Sequence, residues 1–309
     1  MTRRFALFAT LATLFFPVAL PASAGVAPEA GPIAVPIAVV ASFSILGDLV
    51  HEIGGNLVTC TTLVGPDGDV HVFEPSPDDA RTIAAAQVVV INGLGLEGWI
   101  SRLIQSSGYR GPVVVASEGA TLLKGTGAAR PGSVDPHAWQ NIANVKGYVA
   151  HIGEGLATAD PAHAATYRSN VATYAATLDT LDREVRTTLG AIPRERRKII
   201  TSHDAFGYFG AAYGLTLMAP VGFGTESEPS ARAVGALIDQ IRRDHIPAIF
   251  IENMSDPRLI QQIARESGAR IGGKLFSDAL SKQGGPADTY IDLVRHNTKL
   301  LVDSLDVSP

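Results

Sequence analysis

Eight histidines and a single cysteine are the side chains of this 309-residue sequence best suited to holding a transition metal. With Cys60 alone, a thiolate site is excluded and an oxidising compartment gains no disulfide within the chain. Its setting, LVTCTTLV, reads as a buried strand thiol. Four titratable residues stand apart by position. His71 follows a strand-like run at 57–64 across a Gly-Asp-rich loop, His137 follows a run at 113–117 by a longer loop, His203 directly follows a run at 198–202, and Asp278 follows one at 270–276. In open α/β sheets ligands collect beyond the carboxyl ends of the strands, so these residues would face a crevice, two from each half of the chain. Three imidazoles and one carboxylate form a four-ligand set that suits Zn2+, and a saturated set leaves no open position for a catalytic water. His51, His151, His163, His245 and His296 fall within or at the ends of helical segments, where a lone imidazole is ordinarily packed or solvated. Spacing alone does not separate the two groups.

The elements that would position these residues alternate strand and helix. An apolar run at 37–41 gives way to helical spacing at Ile45, Leu46, Leu49, Val50 and Ile53, closed by Gly54. Strand-like runs at 57–64, 87–92 and 113–117 complete a four-strand α/β lobe, with a helix opened by Ser76-Pro77-Asp78 as cap, first turn and dipole partner. Ile142, Val145, Val149, Ile152 and Leu156 keep helical period, and Asp160-Pro161 then opens a longer helix. Its stripe of Tyr167, Val171, Tyr174, Leu178, Leu181, Val185 and Leu189 runs unbroken to Gly190 and Pro193. At about 1.5 Å per residue it would be about 45 Å long, enough to run across two lobes. Strands at 198–202, 215–219, 247–252 and 270–276 then alternate with helices near 204–213, 231–243 and 256–267, and a last helix spans 287–305. No internal sequence repeat is visible. The expected division is an N-terminal lobe at 25–159, a linking helix at 160–190 and a C-terminal lobe at 191–309.

The first 24 residues read as a signal peptide: Arg3 and Arg4, an apolar run from Phe5 to Leu20, then Ala22-Ser23-Ala24. The run carries Pro17 and is too short to span a bilayer comfortably. The expectation is an exported protein, and with no cysteine near the cleavage site, one free in the periplasm rather than lipid-anchored. A net charge of −5 offers no basic field for nucleic acid or anionic lipid.

The sequence around the four residues is specific: LVGPDGDVHVFEPSP at His71, DPHAWQN at His137, SHDAFGYF at His203 and FSDALS at Asp278. Together, and in this order along the chain, these segments resemble the zinc and manganese solute-binding proteins of ABC importers. The resemblance implies two Rossmann-like α/β lobes joined by one long rigid helix, in agreement with the stripe at 161–190. It implies His71, His137, His203 and Asp278 as metal ligands, an ABC permease as membrane partner, and a monomeric receptor rather than an enzyme. Manganese-specific relatives usually carry glutamate at the third position, and His203 shifts preference toward zinc, with manganese or iron as the alternative cargo. Residues 118–136 lack the His-rich loop of many zinc-uptake relatives, which fits a loopless receptor of the AztC type supplied by a periplasmic zinc metallochaperone.

Glu74, Asp135, Asp204 and Glu252 lie beside these ligands or at strand ends, where a carboxylate could orient an imidazole. The plainer reading makes Asp204 the cap of the helix after His203 and Asp135 a turn residue before Pro136. None is counted as a ligand. Residues 93–98, GLGLEG, match a dinucleotide-binding fingerprint in form, but Glu97 would set negative charge where a pyrophosphate meets a helix start. A tight turn in which Leu94, Leu96 and Trp99 pack is the better reading. A zinc hydrolase would need an open coordination position and a general base, commonly in HExxH, and the sequence contains no such motif.

Overall fold

The computed structural model describes residues 35–125 and 132–305, together with Thr2. The expected signal segment therefore lies outside the described residues, Thr2 apart. Continuous apolar runs make strands that are covered on both faces, the condition of parallel sheets. In the first sheet β1 (Ile37–Phe43), β2 (Val58–Val64), β3 (Val88–Ile91) and β4 (Val113–Val115) take the order β2-β1-β3-β4, all parallel. In the second, β5 (Lys198–Ile200), β6 (Thr216–Met218), β7 (Ala248–Glu252) and β8 (Arg270–Leu275) take the order β6-β5-β7-β8, again parallel. The two orders are the same topology displaced by four strands. The repetition lives in the fold and not in the letters of the sequence.

Helices fill the connections. The first half contains α1 (Ser44–Gly54), α2 (Pro77–Ala85), α3 (Ile100–Ser107) and α4 (Ile142–Ala159). Ser76 caps α2 as expected: its hydroxyl accepts from Asp79 N while the Asp79 carboxylate accepts from Ser76 N, a reciprocal capping box. The long α5 (Ala164–Gly190) has 27 residues, about 40 Å at the usual rise. Its expected first turn, Pro161–His163, is instead a 3-10 turn in which Asp160 accepts from His163 Nδ1 (2.7 Å) and the Tyr167 hydroxyl (2.8 Å). The second half carries α6 (Gly207–Tyr213), α7 (Ala231–Asp244), α8 (Arg258–Ser267) and α9 (Tyr290–Leu305). Because α6 begins at Gly207 with Phe206 at its N-cap, Asp204 is not the helix cap expected of it.

The stripe on α5 does what its spacing implied. Tyr167, Tyr174, Leu178, Leu181, Val185 and Leu189 are all buried, and the helix packs against α1 and α4 on one side and α6 and α9 on the other. A single hydrophobic cluster thereby runs from the first sheet through α5 to Ile199, Phe250 and Leu275 of the second. A smaller cluster, including Ile200, Val234, Leu237, Ile249, Ile260 and Ile263, joins β5 and β7 to α7 and α8. The chain from Val35 onward is one compact unit.

A partly buried carboxyl links α1 to α9. Asp48 of α1 accepts from Tyr290 N at the start of α9 (2.8 Å). Burial pushes its carboxyl up to about 7, the hydrogen bond opposes this, and Glu52, Asp292 and Asp288 add to the rise. A folded-state pKa above the unfolded value means the native state holds the extra proton, so this residue's contribution to stability falls as pH rises from about 4 to about 7. Asp48→Asn keeps an oxygen for Tyr290 N without the charge. It should melt higher than the parent near pH 8 by circular dichroism, with the advantage gone near pH 4. A pH-independent difference would contradict this origin.

Candidate metal centre

All four strand-end residues singled out in the sequence meet at one place. One donor atom from each of His71, His137, His203 and Asp278 lies within 4.8 Å of every other, and all four residues are buried. Among the described residues this is the one group of three or more His, Cys, Asp or Glu able to converge on an ion. Parallel strands explain the meeting, since the loops leaving their carboxyl ends emerge on one side of each sheet. His71 Nε2 is 3.2 Å from Asp278 Oδ2 and 3.4 Å from His137 Nε2. His203 Nε2 is 3.0 Å from Asp278 Oδ2, and His137 Nε2 is 3.7 Å from Asp278 Oδ1. Four donors at zinc–ligand distances in a tetrahedron would be about 3.4 Å apart, and these four separations lie on either side of that value. Asp278 Oδ1 and both ring nitrogens of His203 are buried without a well-aligned hydrogen-bond partner. Buried polar atoms in that state are costly, and a cation beside Asp278 would engage His203 Nε2, while Nδ1 faces Glu252.

The remaining five histidines stay outside. His151 Nδ1 faces the Ala116 carbonyl, His163 pairs with Asp160, His296 Nε2 faces the Lys274 carbonyl, His245 is the left-handed residue ending α7, and His51 is exposed on α1.

Two carboxylates passed over as ligands orient the imidazoles. Asp135 Oδ1 accepts from both His137 N (2.9 Å) and His137 Nδ1 (2.8 Å). A proton on Nδ1 leaves the Nε2 lone pair free to face the other donors. Asp135 is itself held from the second half: Tyr208 of α6 donates its hydroxyl to the Asp135 carbonyl (2.8 Å), and a Cβ at Gly207 would lie 2.7 Å from Asp135 Oδ2. Glu252, at the end of β7, accepts from His203 N (3.0 Å) and from the Ser277 hydroxyl (2.6 Å), and its Oε2 sits 2.7 Å from His203 Nδ1. Asp69 holds the His71 backbone and not its ring, accepting from His71 N (2.9 Å) and from Thr225 Oγ1 of the second half (2.7 Å). By contrast Glu74 is exposed. Asp204 is pushed up to about 6 by burial and by the neighbouring Asp135 charge.

Electrostatics follow from burial. Desolvation alone would raise Asp278, yet the His203 and His137 rings and the hydrogen bonds around it hold its carboxyl well below the usual range. Desolvation likewise disfavours an imidazolium at His203, but Glu252 and Asp278 outweigh it and push that ring well above its ordinary value. Both shifts favour an imidazolium at His203 beside an ionised Asp278, a pair with which a cation at this centre would compete.

The fold and this centre have counterparts. Residues 39–304 match the ZnuA family, described as the zinc-uptake complex component A, periplasmic. The chain belongs to the ZnuA family. Relatives within it include the iron-binding protein YfeA of Yersinia pestis, 33% identical over 83% of this chain and 82% of that protein. The manganese-binding lipoprotein MntA of Halalkalibacterium halodurans is 32% identical over 86% of this chain and 88% of its own length. Among solved structures, the periplasmic zinc binding protein TroA of Treponema pallidum superposes with a TM-score of 0.83 at 30% identity, over 88% of this chain and 99% of that one. ZnuA-family proteins are metal-binding receptors of ABC transporters and not enzymes, so the GLGLEG segment and the absence of HExxH have a common explanation. Leu96 and Trp99 of that segment are buried and Leu94 packs beside the core, as a turn requires.

Carboxylates that orient ligating imidazoles typically contribute about 10–100-fold to metal affinity. Asp135→Ala and Glu252→Ala should each weaken metal binding by about that factor in a chelator competition. His151→Ala should leave it unchanged, and equal losses in all three would overturn the division of roles.

Proposed function

We propose that this protein is an extracytoplasmic receptor that captures one zinc ion between His71, His137, His203 and Asp278 and hands it to the membrane permease of an ABC importer. The observation that supports the reading is the donor set itself, three imidazole nitrogens and one carboxylate buried within 4.8 Å of one another. Imidazole-rich sites suit zinc, whereas manganese prefers oxygen. Zinc is here cargo, so a saturated, catalytically closed shell is the useful arrangement. Segments 25–159 and 191–309 act as the two ligand-bearing lobes, braced by the helix at 160–190. The periplasm is the compartment, the protein works as a monomer, and the short segment at 118–136 leaves delivery to a zinc metallochaperone.

A second reading, a manganese or iron receptor, is supported by the cargo named for relatives of similar identity. Competition separates the two. Protein reconstituted with equal zinc and manganese and analysed for metal content should hold one zinc per chain, and predominant manganese would defeat the zinc reading. His203→Glu, which exchanges a nitrogen donor for oxygen, should move the zinc-to-manganese affinity ratio toward manganese by about tenfold or more.

Because the metal replaces a proton on His203, whose pKa is raised in the metal-free protein, affinity should fall steadily from about pH 8 to about pH 6. Isothermal titration in buffers of different ionisation enthalpy should record proton release on binding. A flat pH profile would contradict ligation through His203.

A further inference from the structure

The glycine-rich turn after β3 has a task beyond ending a strand. Gly93 (φ 83°), Leu94 (φ 57°) and Gly95 (φ 83°) are three consecutive residues in the left-handed region, a conformation glycine tolerates and leucine resists. At Gly93 a Cβ would also lie 2.6 Å from Val115 Cγ1, so a larger residue would have to displace that side chain as well as adopt the strained backbone. The turn brings Glu97 back under the strand ends, where it is 4% exposed. Its carboxylate accepts from Ser42 Oγ at the end of β1 (2.6 Å), from Asn92 N (2.6 Å) and from Gly93 N (3.2 Å).

The residue fixed in this way is Asn92, which is fully buried. Its carbonyl accepts from the Ser117 hydroxyl (2.6 Å) and its Oδ1 accepts from the Tyr148 hydroxyl (2.5 Å). Its Nδ2 donates to the Gly93 carbonyl and to the Pro136 carbonyl, both at 3.0 Å. The Pro136 carbonyl and the His137 N–H belong to one planar peptide unit. That plane is gripped at its oxygen by Asn92 and at its nitrogen by Asp135 Oδ1 (2.9 Å). With both ends held, the His137 N and Cα are fixed in place, which leaves only rotations from φ outward to aim the ring.

We propose that Asn92 is a positioning residue for His137, aiming its Nε2 at the metal by clamping the Pro136–His137 peptide. The proposal rests on the receptor reading above. It assigns the GLGLEG turn its purpose: the turn delivers the Glu97 carboxylate that locks Asn92.

Cobalt serves as probe, because the visible d–d bands of Co2+ report the geometry and identity of its ligands. In Asn92→Leu, which removes the clamp, Co2+ should bind with an altered d–d spectrum. Zinc in the same variant should dissociate at least about tenfold faster, with a matching loss of affinity. Asn170→Ala, which deletes the 2.8 Å bond to the Ile53 carbonyl, should cost stability while keeping the parent spectrum. Where Asn92→Leu does not fold, Asn92→Ala, which removes the same Nδ2 donor without added bulk, should change spectrum and dissociation rate in the same sense. A folded Asn92→Leu or Asn92→Ala protein with the parent spectrum and zinc off-rate overturns the proposal. Failure of the parent protein to bind either ion would instead sink the receptor reading, so the two outcomes are distinct.

Discussion

A carboxylate removed from water must be met by positive charge or by hydrogen-bond donors, and Asp278 is removed completely, with three imidazoles as its neighbours. Much of the surrounding architecture follows from that constraint. The two inner carboxylates, Asp135 and Glu252, are also buried, and each approaches an Nδ1 while the Nε2 atoms turn inward. Three carboxylates among three imidazoles with so little solvent leave an excess of negative charge that protons or a divalent ion would reduce. The carboxylates around His203 favour its protonated form, and an ion ligated through that ring would release the proton.

Because the donors come from both sheets, their convergence depends on how firmly the two halves are joined. Trp139 Nε1 and Gln140 Nε2, from the first half, both donate to the Ser277 carbonyl, at 3.0 and 2.9 Å. The Asp67 amide donates to the Leu280 carbonyl (2.9 Å), and the Leu280 amide donates to Ser44 Oγ (3.0 Å). These bonds flank Asp278 on either side in the chain. With a continuous core running through α5, they tie the two halves together beside the loops that carry the four converging residues.

How much of this was legible beforehand varies with the range of the interaction. Apolar runs such as VVVI at β3, and the α5 stripe, are local patterns, and the strand and helix positions follow from them closely. The four converging residues were legible because parallel strands place their carboxyl ends together whatever the lateral order. Helix starts were less so: Pro161 opens a 3-10 turn and Gly207 begins α6 late, because a sequence of capping type does not say which of several adjacent residues the tertiary structure uses. Among the acidic neighbours, sequence proximity made Asp204 and Asp135 look alike. Only the approach of α6 through Gly207 and Tyr208 distinguishes the one that touches a ring nitrogen. Glu97 looked like an obstacle to a phosphate; its inward turn depends on three consecutive left-handed residues, of which the leucine gave no local sign.

The most direct test is a crystal structure of zinc-loaded protein with an anomalous difference map at the zinc edge. One strong peak is expected, bonded at about 2.0–2.2 Å to the Nε2 atoms of His71, His137 and His203 and to the Asp278 carboxylate. A peak elsewhere in the molecule, or one bonded to fewer than three of these residues, would contradict the assignment of this centre.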